Sequence, residues 1–187
     1  MSQGPNVPRG TKPTKSQEVA LGPGFPKLSQ YADILAKDGV RLGLIGPREV
    51  ERIWDRHILN CAALVELIPD GQSIIDIGSG AGLPGIVLAI LKPESKVTLI
   101  EPMQRRTDFL TQVSKDLGLT NIEIIRGRAE TQKVKAQVVT SRAVAPLNKL
   151  IAWSLPLVEK GGKVLAIKGE KAQEELEEAK KELVSLK

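Results

Sequence analysis

The chain has 187 residues, of which 41% are hydrophobic and 26% are charged, so we expect one folded domain and exclude a wholly disordered chain. A single cysteine excludes an intramolecular disulfide, and no cluster of histidine and cysteine predicts a metal site. No apolar run approaches the roughly 18 residues of a membrane helix, and we expect a cytoplasmic monomer with no metal and no membrane segment.

The net charge of +5 is unevenly distributed along the chain. Residues 169–187 contain six acids and four bases, a net charge of −2, which leaves +7 on the rest. A basic body is compatible with a polyanionic partner such as nucleic acid. Aromatic residues make up only 3% of the chain, so extended base-stacking platforms are not expected.

The first 70 residues predict an arm followed by helices. Residues 1–25, rich in proline, glycine, lysine and serine, predict a flexible basic arm. Residues 26–187 predict a single domain, which begins with helices in the segment 26–70. The longer of these helices covers 47–68 and starts with a proline, which suits the first helical position. One face of this helix is an apolar stripe, which comprises Val50, Trp54, His57, Cys61, Leu64 and Ile68. A second stripe consists of Arg48, Arg52 and Arg56.

Strands and helices alternate in the segment 72–168. The predicted strands cover residues 73–77, 96–100, 122–125, 138–141 and 163–167, and the predicted helices 83–91, 104–117 and 146–158. Short apolar strands that alternate with helices indicate a parallel sheet with right-handed crossovers, which is an α/β doubly wound fold. An acidic helix is predicted for residues 170–187.

The loop after the first strand carries the most informative motif. Asp76, Gly78, Gly80, Gly82 and Leu83 follow one another at fixed spacing, between a strand and a helix. Glycines let a ligand approach the backbone, and the helix start offers free N–H groups. The alternative is a tight strand-to-helix turn with no ligand.

Two cofactor classes compete for this loop. Gly80, Gly82 and Gly85 match the G-x-G-x-x-G pattern of dinucleotide sites, but Pro84 then falls inside the first helical turn. The complete motif, with Asp76, Gly78, Gly80 and Gly82 at alternate positions, is more similar to the loop of S-adenosylmethionine-dependent methyltransferases. Glu101 ends the second strand, 21 residues after Gly80, where an acid accepts hydrogen bonds from the ribose of an adenosine. Glu101 therefore supports adenosine without choosing between the two cofactors.

Several further motifs make the chain resemble one family over about residues 31–168, the ribosomal RNA small subunit methyltransferase G family, also called glucose-inhibited division protein B. The segment 44–50 is similar to its actinobacterial branch. The motifs are Arg56-His57-Ile58-Leu59-Asn60, the loop 76–85, Arg105-Arg106, Arg128-Ala129-Glu130, Ser141-Arg142-Ala143 and Lys168-Gly169.

The resemblance implies a Rossmann-like class I methyltransferase that moves a methyl group from S-adenosylmethionine to N7 of a guanine in the 530 loop of 16S rRNA, free or within the small-subunit ribonucleoprotein. It assigns cofactor contacts to Gly78, Leu83, Ala129, Glu130 and Arg142. The general methyltransferase pattern adds Asp76, Gly80, Gly82 and Glu101. The class usually has seven strands, and the five found here predict a sheet without the last two.

The residues also bear on the methyl acceptor. No Asn/Asp-Pro-Pro-aromatic loop for exocyclic amines follows the fourth strand, and Cys61 lies in an early helix rather than near strands four or five, where methylation at C5 would require a nucleophile. Lys168 lacks the aspartate that ribose methylation would require. A ring nitrogen such as N7 needs only alignment. A small-molecule methyltransferase and a non-catalytic RNA-binding remnant remain as alternatives.

Four residues are predicted to contact RNA. Arg105 and Arg106 start a helix, where the helix dipole disfavours cations, so their placement beside the site suggests phosphate contacts. Lys168 is a further candidate. Arg142, after strand four, is the best candidate for orienting the substrate. His57 is a weaker catalytic candidate, because a packed histidine on an apolar stripe is the ordinary alternative.

Overall fold

The computed structural model describes residues 13–142 and 144–185, with side chains described as far as residue 180. Five parallel strands form its sheet, in the order β3-β2-β1-β4-β5. The predicted α/β doubly wound fold and its five strands are therefore confirmed. The strands are β1 (Ile74–Ile77), β2 (Val97–Glu101), β3 (Ile122–Arg126), β4 (Ala136–Arg142) and β5 (Val158–Ile167).

The strand order brings three chain segments to one edge of the sheet. Ile77 at the end of β1 is paired with Ile100 in β2 and with Ser141 in β4. The residues that follow these positions therefore meet at the carboxyl edge of the sheet. The strand order reverses between β1 and β4, and this reversal opens a crevice where doubly wound folds bind ligands.

Helices cover both faces of the sheet. The regular ones are α1 (Lys15–Leu21), α2 (Phe25–Ile34), α3 (Asn60–Ala62), α4 (Gly85–Leu91), α5 (Gln104–Asp116), α6 (Leu147–Ser154) and α7 (Ala172–Ser185). The predicted helix over 47–68 is helical but irregular, with 3₁₀ turns at Pro47–Arg52 and Ala63–Leu67, and a π-helix at Ile53–Leu59. Among the described residues, no helix has the length and apolar character to cross a membrane.

The prediction of a flexible arm over 1–25 is wrong for its second half. Residues 1–12 lie outside the described part of the chain, but α1 and a 3₁₀ turn at Gly22–Gly24 follow them. Thr14 and Gln17 form a reciprocal capping box that satisfies the first backbone donors of α1. Gly24 packs so closely on α4 that an added Cβ would lie 2.7 Å from Leu91 Cδ2.

Strand β5 also differs from the prediction, because it begins at Val158 rather than at residue 163. Ala136 is paired with Val158, whereas Val138 is paired with Lys163, so the register shifts within the strand. Such a bulge interrupts the alternation that makes a strand visible in a sequence.

Two apolar clusters lie on opposite faces of the sheet, since successive strand residues point to opposite sides. Ile74 belongs to the larger cluster, which joins β1, β2 and β4 to the N-terminal helices, α4 and α5. Ile75 and Ile77 belong to the smaller cluster, which includes Ala129 and Leu157.

Candidate functional site

A cleft of about 700 Å³ lies at the carboxyl edge of the sheet. Its walls come from the glycine loop, the end of β2, the segment 127–130, the end of β4 and the irregular helix that carries His57. The structure brings most of the predicted site residues into this cleft, namely His57, Gly78, Gly80, Leu83, Glu101, Arg106, Ala129, Glu130 and Arg142. Asp76, Gly82, Arg105 and Lys168 do not line it.

The glycine loop is shaped by tight packing. Gly78 has φ +65°, and an added Cβ would lie 2.9 Å from Val144 Cγ2. Tyr31 Oη donates a hydrogen bond of 2.7 Å to the carbonyl of Ala81, which holds the loop from the side of α2. Burial raises the pKa of Tyr31 well above its ordinary value, so the hydroxyl keeps its proton. Its only signal in the sequence is an aromatic residue with a hydroxyl on the apolar stripe of α2, at helical spacing from Leu28.

Asp76 lies behind the loop. It occupies the same face of β1 as Ile74, where the N-terminus of α4 packs, and its side chain is fully buried. Its Oδ2 accepts a hydrogen bond of 3.0 Å from the backbone N–H of Gly85. Burial raises the pKa of Asp76 to about 7. The structure therefore gives Asp76 a role in fixing the loop to α4, rather than a place in the cleft wall. Gly82 is a packing position as well, because an added Cβ would lie 2.4 Å from Ile86 Cγ1.

Glu101 joins the loop to the end of β2. Its side chain is 1% exposed, Oε2 accepts from Gly80 N at 3.0 Å, and Oε1 accepts from Met103 N at 3.0 Å. Arg106 Nη1 lies 3.6 Å from Oε2. The carboxylate is thus held in one orientation at the cleft wall, between two backbone donors and a guanidinium.

Arg142 and His57 meet on the opposite side of the cleft. Arg142 Nη2 donates to His57 Nδ1, and Arg142 Nη1 lies 4.0 Å from Cys61 Sγ. His57 Nε2 lies 3.1 Å from Glu49 Oε2. Burial, reinforced by the charge of Arg142, lowers the pKa of His57 to about 4, although Glu49 acts in the opposite direction. Sequence reasoning missed Glu49, because an acid in the first turn of a helix is ordinary and carries no distinguishing signal.

The predicted RNA-contacting residues have different surroundings. Arg106 is turned toward Glu101, whereas Arg105 is exposed beside a second cavity of about 570 Å³ between α5 and the segment 34–42. Lys168 Nζ donates to the carbonyl of Ala145 at 2.7 Å and forms an ion pair of 2.7 Å with Glu175 of α7. Lys168 therefore links the loop after β4 to α7.

The cleft suits a ligand that contains adenosine. Gly78 and Gly80 have positive φ and leave the backbone accessible, and Glu101 presents a buried carboxylate for ribose hydroxyls. Apolar walls from Ile77 and Ile100 offer contact to a purine. Among the described residues, no group of three histidine, cysteine or acidic side chains could hold a metal ion.

Comparison with known sequences gives consistent results. The family model described as "GidB: rRNA small subunit methyltransferase G" matches residues 25–187. A relative from Thermobifida fusca named ribosomal RNA small subunit methyltransferase G is 56% identical over 173 residues, which cover 91% of this chain and 73% of the relative. A relative of the same name from Corynebacterium glutamicum is 50% identical over 187 residues, covering 95% and 83%.

Solved structures share the fold at low sequence identity. TYW2 from Pyrococcus horikoshii in complex with MeSAdo has a TM-score of 0.59 and 13% identity, over 69% of this chain and 51% of that one. Trm5b from Pyrococcus abyssi has a TM-score of 0.57 and 16% identity, over 73% of this chain and 40% of that one. At these identities the likeness establishes the Rossmann-like fold alone.

Proposed function

Since the chain belongs to the family of ribosomal RNA small subunit methyltransferase G, an S-adenosylmethionine-dependent enzyme family, we propose that it methylates 16S rRNA at N7 of a guanine in the 530 loop. The observation that carries the proposal is the family match over residues 25–187, together with a cleft that suits adenosine. We expect the enzyme to act as a cytoplasmic monomer on rRNA or on the small-subunit ribonucleoprotein.

The cleft residues would surround the cofactor from several sides. Glu101 would hold the ribose, Gly78, Gly80 and Leu83 the loop side, and Ala129 and Glu130 the far wall. When bound, S-adenosylmethionine supplies an electrophilic methyl group on a sulfonium. Arg142 lies across the cleft with its guanidinium fixed by His57, where it would orient an anionic group of the cofactor or the RNA.

The chain's own contribution to N7 methylation is alignment. N7 of guanine carries no proton, so no residue has to remove one before the nitrogen attacks. His57 fits this requirement, because its low pKa and its contact with Arg142 make it a neutral support rather than a base that titrates near neutrality. Ordering two reactants in this way supplies roughly 7 to 11 kcal/mol of the barrier reduction. The family match favours RNA over a small-molecule acceptor.

The rate of methyl transfer in single turnover is expected to be independent of pH between about pH 6 and pH 9. His57 has a pKa of about 4 and stays neutral throughout this range. Asp76 titrates near pH 7 beneath the loop, so the cofactor must be saturating at every pH. A decrease of the rate toward acidic pH, with an apparent pKa near 6.5 and absent in His57→Ala, would show that His57 acts as a base.

Arg105 and Arg106 are expected to respond differently to substitution, although they are neighbours in the chain. Arg105→Ala should reduce the slope of the logarithm of the RNA-binding constant against the logarithm of salt concentration by about one unit. The cofactor affinity should stay unchanged. Arg106→Ala should change cofactor affinity as well, because Arg106 faces the carboxylate of Glu101. Binding titrations at several salt concentrations measure both effects. Equal cofactor affinity in the two variants would exclude a role for Arg106 at Glu101.

The function is tested with 16S rRNA that lacks the modification, supplied both as free RNA and within small subunits, with labelled S-adenosylmethionine. We expect label in the 530 loop, identified as 7-methylguanosine by nuclease digestion and mass spectrometry. A synthetic 530-loop RNA with 7-deazaguanine at the labelled position is the matched control, since it has no N7 to accept the methyl group. Label at another base or position, or transfer to the 7-deaza RNA, would contradict the proposal.

A further inference from the structure

Two consecutive helical turns and the distant end of β4 converge behind the Arg142 side of the cleft. Glu49 lies on the 3₁₀ turn Pro47–Arg52, His57 on the π-helix Ile53–Leu59, and Arg142 at the end of β4. Their side chains form a chain of contacts, from Glu49 Oε2 to His57 Nε2 at 3.1 Å and from His57 Nδ1 to Arg142 Nη2. All three residues line the cleft.

The partners of His57 determine where its proton lies. A guanidinium has only donors, so the Nδ1 that faces Arg142 must offer its lone pair. The proton of the neutral imidazole is then on Nε2, which lies 3.1 Å from Glu49 Oε2. This contact is electrostatic rather than an aligned hydrogen bond, and the buried Nε2 has no other partner among the described residues. The other carboxylate oxygen of Glu49 accepts a hydrogen bond of 3.2 Å from Arg56 Nη1, so Glu49 itself is fixed from outside.

We propose that Glu49 is a positioning residue, which acts through the Nε2–H tautomer of His57 to hold the guanidinium of Arg142 toward the cleft. The inference rests on the proposed function for its consequence, which is correct placement of substrate or cofactor. The neutral histidine matters because it orients Arg142 without cancelling its charge. Among the side chains that the structure describes, residues 13–142 and 144–180, no carboxylate forms an ion pair with Arg142, so its positive charge remains available to an anion.

Three charged groups influence the protonation of His57. Arg142 and Arg56 disfavour its protonated form through their charges, whereas Glu49 favours it. Cys61 lies beside Arg142, and burial raises the pKa of its thiol to about 12, so it stays neutral. Removal of Glu49 should therefore lower the pKa of His57, and removal of Arg142 should raise it.

The test uses the fact that His57 is the only histidine in the chain. NMR of the intact protein with ¹⁵N-labelled histidine reports one imidazole, and we expect the Nε2–H tautomer at pH 7. Glu49→Ala should mix the two tautomers and lower kcat roughly tenfold or more. Glu49→Gln keeps an oxygen beside Nε2–H, so it should retain the tautomer and a kcat within about threefold of the original. Glu66→Ala, an exposed glutamate on the turn Ala63–Leu67, is the matched control and should change neither property.

Two outcomes would overturn the inference: an Nδ1–H tautomer in the unmodified protein, or an unchanged tautomer and kcat in Glu49→Ala. If Glu49→Ala does not fold, Arg142→Gln decides the coupling, since the pKa of His57 must then rise toward its ordinary value of about 6.5. An unchanged pKa would refute the contact chain. The NMR measurements need no substrate, so a failure of N7 methylation with the expected tautomers would contradict the proposed function and leave the role of Glu49 standing.

Discussion

Glu101→Ala is expected to weaken the binding of S-adenosylmethionine about ten- to a hundredfold. The substitution would remove the charge-assisted hydrogen bonds that we propose between Glu101 and the ribose, which are worth roughly 1.5 to 3 kcal/mol. It also leaves the N–H groups of Gly80 and Met103 without the acceptor that they have in the structure. Each lost acceptor costs about 1 to 3 kcal/mol of stability, so the loop itself should loosen.

Calorimetric titration measures this affinity, and urea unfolding separates it from a general loss of stability. Glu123→Ala is a suitable control, because Glu123 lies at the surface on β3 and pairs with Lys96 at 2.7 Å. An affinity in Glu101→Ala equal to that of the unmodified protein would refute the assignment of Glu101. Preferential binding of NADH would refute the assignment of the cofactor.

Gly85→Ala is expected to lower the free energy of unfolding by about 2 to 5 kcal/mol. An added Cβ would lie 2.2 Å from Leu99 Cδ2 and 2.7 Å from Asp76 Oδ2, and both of these side chains are fully buried. Relief of the clash must move β2 or break the hydrogen bond between Asp76 and the N–H of Gly85. Cofactor affinity should fall as well, because that bond fixes the loop to α4.

The matched control for this substitution is Gly39→Ala in the π-helix Leu35–Gly39. The nearest atoms to its added Cβ lie at 3.7 to 3.8 Å, which is ordinary contact. Since alanine is the better helix former, this variant should be neutral or more stable by up to about 1 kcal/mol. Urea midpoints of the two variants provide the comparison, and similar midpoints would show that the packing around Gly85 adapts.

Apart from the first half of β5, the sheet was predictable because its strands contain short apolar runs, and a parallel sheet brings their carboxyl ends together. That rule predicted the neighbourhood of Gly78, Glu101 and Arg142 from the chain alone. The irregular helix over 47–68 was not predictable in detail. Apolar spacings of three and four fit 3₁₀, α and π turns alike, and tertiary packing chooses between them.

The site was predictable to the extent that its residues belong to the sheet edge. In the glycine-loop motif, Asp76 and Ile77 are adjacent in β1, and successive strand residues point to opposite faces of the sheet. Asp76 therefore lies on the face covered by α4, whereas Ile77 lines the cleft. The contacts Tyr31 to Ala81 and His57 to Arg142 join residues that are 50 and 85 positions apart. They depend on how the N-terminal helices pack on the sheet, and no local pattern records that packing.

The unequal apolar clusters on the two faces of the sheet have a consequence for amide hydrogen exchange. Among the described residues, the larger cluster contains 28 buried side chains and the smaller one seven, and the smaller includes Ala129 in the cleft wall. Regions with few buried apolar contacts open at lower free energy than the global transition. Amides of α6 and of the segment 127–131 should therefore exchange before those of β1 and α4. Because a ligand stabilises only the closed form, S-adenosylmethionine should slow exchange most strongly on the face of the sheet that carries the smaller cluster. This face is therefore the more adaptable wall of the cleft.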